Sequence, residues 1–104
     1  MARPKEQEEG GVATEVVPKT KRAPLYKVVL HNDDFTTQEF VIFVLKTVFH
    51  LNDGDAYAIM MHVHQRGRGI AGLFPREIAE AKVERTIALA RANEFPLLVT
   101  SEEE

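Results

Sequence analysis

The chain has 104 residues, enough for one domain, and its 44% hydrophobic content can supply one modest core. Its 13 basic and 16 acidic residues give a formal charge of −3, which indicates neither nucleic acid nor an anionic membrane as a partner. Cysteine is absent, which excludes disulfides, thiolate metal sites and cysteine catalysis and fits a reducing compartment. We therefore expect a cytoplasmic protein.

The amino-terminal part of the chain differs in composition from the rest. Residues 1–24 mix charged residues with Gly and Pro, and they hold too few apolar residues to offset the entropy of ordering. This stretch also lacks the apolar core of a signal peptide, and the longest apolar run, residues 40–45, is far shorter than the ~20 residues that span a bilayer. We predict a flexible extension over 1–24 and one domain over 25–104.

The domain opens with a predicted strand and a loop. Residues 26–30 are rich in β-branched and aromatic side chains, and they end at the turn-forming cluster 31–34, which contains two aspartates. Thr36 and Glu39 have the spacing of a capping box and stand directly before the apolar run. A first helix is therefore predicted to begin after Thr36.

Caps, glycines and prolines predict the next elements. Asn52 is suited to cap a second helix, and Gly67 is suited to end it. Residues 69–74 have the pattern of a short strand, and Pro75 suits the first position of a third helix that reaches about Asn93.

The last predicted element is a strand over residues 96–100, with its proline at the start, where the missing N–H does least harm. Residues 101–104 are expected to fray. The order strand, helix, helix, strand, helix, strand indicates an α+β fold in which the helices cover one face of a small sheet.

Three local patterns suggest chemistry, and each also has a structural explanation. Residues 67–72 match G-x-G-x-x-G, but the helix precedes the glycines here, so a helix end and a turn explain them better than a nucleotide site. His62 and His64 could be metal ligands of a hydrolase together with Asp33, although two residues apart on a helix they point roughly 200° away from each other. Asp33 and Asp34 could act as acid and base, or, because they stand just ahead of a helix, they could satisfy its free N–H groups and complement the positive end of its dipole.

The residues carry a resemblance to one known family. From about residue 25 to residue 100, the chain resembles the ClpS adaptor family in the order and spacing of its motifs. The segments that carry the resemblance are 26–36, 39–41, 63–64, the glycine-rich turn, 79–83 and 93–98.

The resemblance implies an adaptor that is not an enzyme and needs no cofactor. Such an adaptor binds the free α-amino group and the bulky first residue, Leu, Phe, Tyr or Trp, of N-degron substrates. It delivers them to the AAA+ unfoldase ClpA for degradation by the peptidase ClpP. The implied fold is a three-stranded antiparallel sheet backed by three helices. A ribosomal-stalk-like interaction module of related fold is the other class of binding protein that the sequence permits.

The resemblance also implies roles for individual residues. Asn32 and His64 would accept hydrogen bonds directly from the α-ammonium group, while Asp33 and Asp34 would supply negative charge, partly through water. The hydrophobic pocket for the first side chain would be lined by Thr36, Gln38, Val41, Val44, Met60, Val63 and Leu97. Ordinary core packing explains the apolar members of this set equally well.

Two further positions carry expectations about selectivity and delivery. Gln38 departs from the Met that is common in the family at the pocket rim, so we expect altered selectivity at that rim. Glu77 and Lys82, both on the third predicted helix, match the family's docking surface for the amino-terminal domain of ClpA. A solvated helix face is the alternative explanation for these two charges.

Overall fold

The computed structural model describes residues 23–104, so the predicted flexible extension over 1–24 lies almost wholly outside the described residues. The predicted order of elements is confirmed. The elements are β1 (Leu25–His31), α1 (Gln38–Thr47), α2 (Asp53–Arg66), β2 (Arg68–Pro75), α3 (Arg76–Ala92) and β3 (Leu98–Glu103).

The three strands form one antiparallel sheet with β1 in the centre, in the order β2-β1-β3. Val28 pairs with Gly72 on one side and with Ser101 on the other, and the register with β2 shifts between Val28 and Val29. The α+β fold with three strands and three helices is therefore confirmed.

The core lies between one face of the sheet and the helices. Val28 and Leu30 alternate along β1 and are fully buried, as are Val44 and Leu45 of α1. Full burial of such a side chain contributes about 1.5–3 kcal/mol relative to leaving it exposed, so this face fixes how α1 sits on the sheet. The position of α1 in turn sets the position of the loop before it.

The ends of α2 are as predicted. The Asn52 side chain accepts a hydrogen bond from the Asp55 N–H at 2.8 Å, which caps the first turn. Gly67 ends the helix with φ = 92°, a left-handed conformation that glycine adopts without strain. Pro75 differs from its prediction by one residue, because it is the N-cap of α3 and Arg76 is the first helical residue.

The carboxyl-terminal prediction was wrong. β3 covers Leu98–Glu103 instead of 96–100, and residues 101–103, which we expected to fray, pair with residues 26–28 of β1. The Glu104 N–H donates to the Leu25 carbonyl at 2.9 Å, and Glu102 accepts from Arg68 of β2 at 2.8 Å. Backbone pairing along a seven-residue central strand outweighs the low strand propensity of glutamate, and charged side chains suit an edge strand.

Candidate functional site

A recess of about 210 Å³ lies where the loop after β1 meets the start of α1 and the end of α2. Its volume exceeds the ~150 Å³ of a cavity able to hold benzene. All of its lining residues belong to the predicted site. They are Asn32, Asp33, Asp34, Thr36, Gln38, Val41, Met60, Val63 and His64.

The recess is apolar inside and polar at its mouth. Val41, Met60 and Val63 are buried, whereas Asn32 and His64 are exposed. Asp34 and Gln38 are likewise exposed at the mouth. A ligand can therefore place an apolar group among buried side chains while its polar atoms stay beside the exposed ones.

One backbone hydrogen bond joins the loop to the end of α2. The Asn32 N–H donates to the Gly67 carbonyl at 2.9 Å. This bond extends the β1–β2 pairing by one residue beyond His31 and Arg68, to the first residue of the loop. Because His64 lies in the last turn of α2, this bond brings Asn32 to the same side of the molecule as His64.

The loop is closed by the carboxylate of Asp33. Oδ1 accepts from the N–H groups of Phe35 at 2.8 Å and Thr36 at 2.7 Å, and Oδ2 accepts from the Thr36 hydroxyl at 2.7 Å. Partial burial raises the pKa of this carboxyl, but the hydrogen bonds from the Thr36 hydroxyl, the Thr36 N–H and the Phe35 N–H outweigh burial and hold the pKa below its ordinary value of 3.8. Asp33 therefore remains charged and gives the loop one shape.

The predicted capping box was wrong by one residue. Because the Thr36 hydroxyl is bound to Asp33, it does not cap α1. Thr37 is the N-cap instead, and its hydroxyl accepts from the Phe40 N–H at 3.1 Å. Neither aspartate caps the helix, since the hydrogen bonds of Asp33 go to loop N–H groups ahead of it. The Asp33-x-x-Thr36 spacing, which is typical of turns closed by an aspartate, could have indicated this.

The charges around the mouth favour a cation. The amino terminus of α1 contributes a partial positive charge, which would oppose a cation there. Asp33 and Asp34 offset it, and Glu39 adds an acidic side chain in the first turn. Within residues 23–104, the side chains of Asn32 and His64 form no hydrogen bond to one another or to a neighbour, so their acceptor atoms are available.

Two predicted pocket residues lie elsewhere in this structure. Val44 is fully buried in the core behind α1. Leu97 lines a separate cavity of about 210 Å³, together with Phe95 and the end of α3. The structure thus gathers the loop, α1 and α2 positions around the recess and leaves these two outside its lining.

The proposed metal ligands are not brought together. His62 lines a different cavity from His64 and Asp33, on the far side of α2, where Lys27 and Arg68 are its charged neighbours. Two cations beside His62 oppose the binding of a metal ion. Within residues 23–104, no group of three or more His, Cys, Asp and Glu side chains could hold one.

Glu77 and Lys82 line one groove on α3, away from the recess. The Lys82 ammonium donates to the Val48 carbonyl at 2.7 Å, and it lies 5.7 Å and 5.3 Å from the ring centroids of Phe49 and Phe74. Lys82 therefore joins α3 to the end of α1, where a cation also complements the helix dipole. Its charge has a structural role in addition to any docking role.

The fold and the recess together define a small α+β binding module whose site suits a cationic group joined to an apolar side chain. Residues 21–100 match the family model of the ATP-dependent Clp protease adaptor protein ClpS. The chain belongs to the ClpS adaptor family. It is therefore an adaptor of the Clp protease and not an enzyme, which confirms that prediction and leaves the hydrolase and ribosomal-stalk-like alternatives without support.

Individual relatives extend over nearly the whole chain. The ClpS adapter protein of Myxococcus xanthus is 47% identical over 102 residues, which cover 96% of this chain and 95% of the relative. That of Methylococcus capsulatus is 50% identical over 95 residues, or 91% of this chain and 90% of the relative. The solved structure of Agrobacterium tumefaciens ClpS2 bound to L-phenylalaninamide has a TM-score of 0.77 and 41% identity, and the match covers 80% of this chain and 100% of that one.

The described part of the chain, residues 23–104, contains three helices. None of them is both long enough and apolar enough to cross a bilayer.

The role of Asp33 in closing the loop predicts a pH dependence. Because its folded-state pKa is depressed, ionised Asp33 stabilises the fold above its unfolded-state pKa, and this contribution is lost as the pH falls through the folded-state pKa. Thr36→Val removes one of the hydrogen bonds that lower the pKa. We expect the pKa of Asp33, measured by NMR titration of its carboxyl carbon, to rise in this variant, and acid unfolding to begin at a higher pH.

Glu102 provides the internal control for that titration. The hydrogen bond from Arg68 lowers the pKa of Glu102, which lies on β3 and does not contact Asp33 or Thr36 through a hydrogen bond. Thr36→Val should therefore leave the pKa of Glu102 unchanged. An Asp33 pKa that does not move in the variant would contradict the assigned hydrogen bonds.

Proposed function

We propose that the recess binds the free α-amino group and the bulky hydrophobic first residue of N-degron substrates, and that the protein delivers these substrates to ClpA for degradation by ClpP. The observation that carries the proposal is the joining of an acceptor-rich acidic mouth to a buried apolar interior in one recess. Leu, Phe, Tyr and Trp are the first residues that we expect it to accept.

The chemistry of an amino terminus suits this recess. A free α-amino group has an unperturbed pKa of about 7.7–8.0, so at neutral pH it is mainly a cation with three donors. In the proposed complex, the Asn32 side-chain oxygen and a ring nitrogen of His64 accept from it, while Asp33 and Asp34 supply negative charge. The first side chain then contacts Val63 and the other buried residues of the recess.

Affinity and specificity follow from requiring both contacts. Charge-assisted hydrogen bonds contribute about 1.5–3 kcal/mol each, and burial of a Leu or Phe side chain contributes a similar amount. After the cost of association, the two together could reach about −8 kcal/mol, which is micromolar affinity, whereas neither suffices alone. A blocked amine or a small first side chain therefore removes binding.

A related protein supports the choice of ligand. The similar solved structure, ClpS2 of Agrobacterium tumefaciens, is bound to L-phenylalaninamide. That compound carries a free α-amino group and an aromatic side chain, and its carboxyl group is amidated, as it would be inside a peptide chain. It thus has the two features that the recess of this chain is suited to bind.

Peptides that differ only at the amine test the proposal. We expect a fluorescent peptide that begins with Leu or Phe to bind with micromolar affinity by fluorescence anisotropy, and its N-acetylated form not to bind, because acetylation removes the positive charge and the donors. A double Asp33→Ala, Asp34→Ala variant should also lose binding. Equal affinity for the free and acetylated peptides would contradict the proposal.

The histidines of α2 offer a matched pair of variants. His64→Ala should weaken binding of the free peptide about tenfold to a hundredfold, the equivalent of one charge-assisted hydrogen bond. His62→Ala removes the same side chain from the same helix, but from the face outside the recess, and should bind as the wild type does. A larger loss in His62→Ala than in His64→Ala would count against the site.

Gln38 lines the recess at its exposed mouth, and we propose that it sets selectivity there. An amide is more polar than a thioether and adapts less readily to apolar shapes. Gln38→Met should change the affinity ranking of peptides that begin with Leu, Phe, Tyr, Trp and Ile, measured by competition. Gln65→Met, on an exposed part of α2 outside the recess, is the control. An unchanged ranking in Gln38→Met would rule out this role.

For delivery, we propose that the α3 groove with Glu77 and Lys82 docks on the amino-terminal domain of ClpA. Because Lys82 also holds α1, Glu77 is the better test. Glu77→Lys should weaken binding to the isolated ClpA domain in calorimetry and leave peptide binding intact. Asp55→Lys reverses another first-turn acid, on α2 instead of α3, which controls for the lost dipole interaction. Equal losses in both variants would contradict the docking role.

A further inference from the structure

Phe35 is an exposed ring beside the recess. It is 76% exposed, the highest value for a large apolar side chain within residues 23–104. Its neighbours in the chain, Asp34 and Thr36, both line the recess, so Phe35 belongs to the turn that borders the mouth. Phe35 itself is not part of the lining, and the binding of the amino group and first side chain does not use it.

The backbone of Phe35 is held by the site itself. Its N–H donates to Asp33 Oδ1 at 2.8 Å, and the same oxygen accepts from the next residue, Thr36. The ring is thus carried on a fixed turn. Single exposed apolar side chains are common and need no explanation by themselves. Phe35 differs because its turn forms the wall of a binding recess.

Other exposed rings of the described residues have different surroundings. Phe43 packs against Phe40 with ring centroids 6.1 Å apart, so part of its surface already has a partner. Tyr57 is 56% exposed on α2 and lines none of the recess. Among residues 23–104, Phe35 has no aromatic partner within the molecule, which leaves its faces free for a ligand.

We propose that Phe35 contacts the second residue of a bound peptide and favours an apolar or aromatic side chain there. This inference rests on the proposed function. When the amino group and the first side chain are both held in the recess, the rest of the peptide must leave through the mouth. The second Cα lies 3.8 Å from the first, so its side chain lies at the mouth, within reach of the turn that carries Phe35.

The preference arises from contact between two apolar surfaces. In the free protein the Phe35 ring is in water, and an apolar second residue would cover part of it and be covered in turn. An aromatic second residue can also adopt an offset or edge-to-face arrangement with the ring. A glycine in the second position offers neither contact, so it reports the affinity of the first residue alone.

Peptides that begin Leu-Phe and Leu-Gly, identical from the third residue onward, test this inference. We expect the wild type to bind the Leu-Phe peptide about two- to tenfold more tightly, the range for an aromatic pair. Phe35→Ala should abolish that ratio without changing the affinity for Leu-Gly. Phe35→Tyr, which keeps the ring, should retain it, and Tyr57→Ala should behave as the wild type.

The outcomes separate this inference from the proposed function. A Leu-Phe to Leu-Gly ratio that persists in Phe35→Ala, or that is absent from the wild type, would overturn the role of Phe35 while amine-dependent binding of Leu-Gly stands. Equal binding of free and acetylated Leu-Gly peptides would overturn the proposed function and this inference with it.

Discussion

The site depends on the loop after β1 being held in one shape, and a single carboxylate does most of this. Asp33 accepts three hydrogen bonds from Phe35 and Thr36, while the Asn32 N–H ties the beginning of the loop to Gly67. Three hydrogen bonds to one ion stabilise a turn better than neutral contacts do, because charge-assisted bonds are roughly twice as strong. With the turn fixed, its acceptor groups are positioned before any ligand arrives.

The same turn explains how charge and apolar surface come together. It ends at the amino terminus of α1, whose buried face supplies Val41 to the recess, and it is pinned beside the end of α2, which supplies Met60, Val63 and His64. A preorganised loop lowers the entropy that binding would otherwise cost.

The sequence predicted the order of the elements because local signals and long-range packing agree there. Local sequence signals favour a single structure at the Asn52 cap, at the Gly67 helix end and along the apolar spacing of α1 and α2. The residues that line the recess were instead named by the family resemblance. The prediction of the N-cap of α1 failed because two neighbouring residues are both suited to that position. Thr36 and Thr37 are both good N-caps, and only the position of Asp33 decides between them.

The other differences arise from tertiary structure. Glutamates at the carboxyl terminus have low strand propensity, yet the long central strand supplies partners that no local pattern reveals. Leu97 follows α3 by a turn whose Glu94 has φ = 62°, and the direction of the chain after such a turn cannot be predicted from residue types. The sequence therefore does not predict which of the two cavities Leu97 lines.

We propose that a protonated amino terminus and its first side chain are bound together in the recess. Titration of the isotopically labelled protein with L-phenylalaninamide and with its N-acetyl derivative, followed by NMR, tests it most directly. We predict that the free amine shifts the signals of Asn32, His64 and Met60 in a saturable manner and that the acetylated compound does not. Saturable shifts of equal size at these residues with the acetylated compound would contradict the claim.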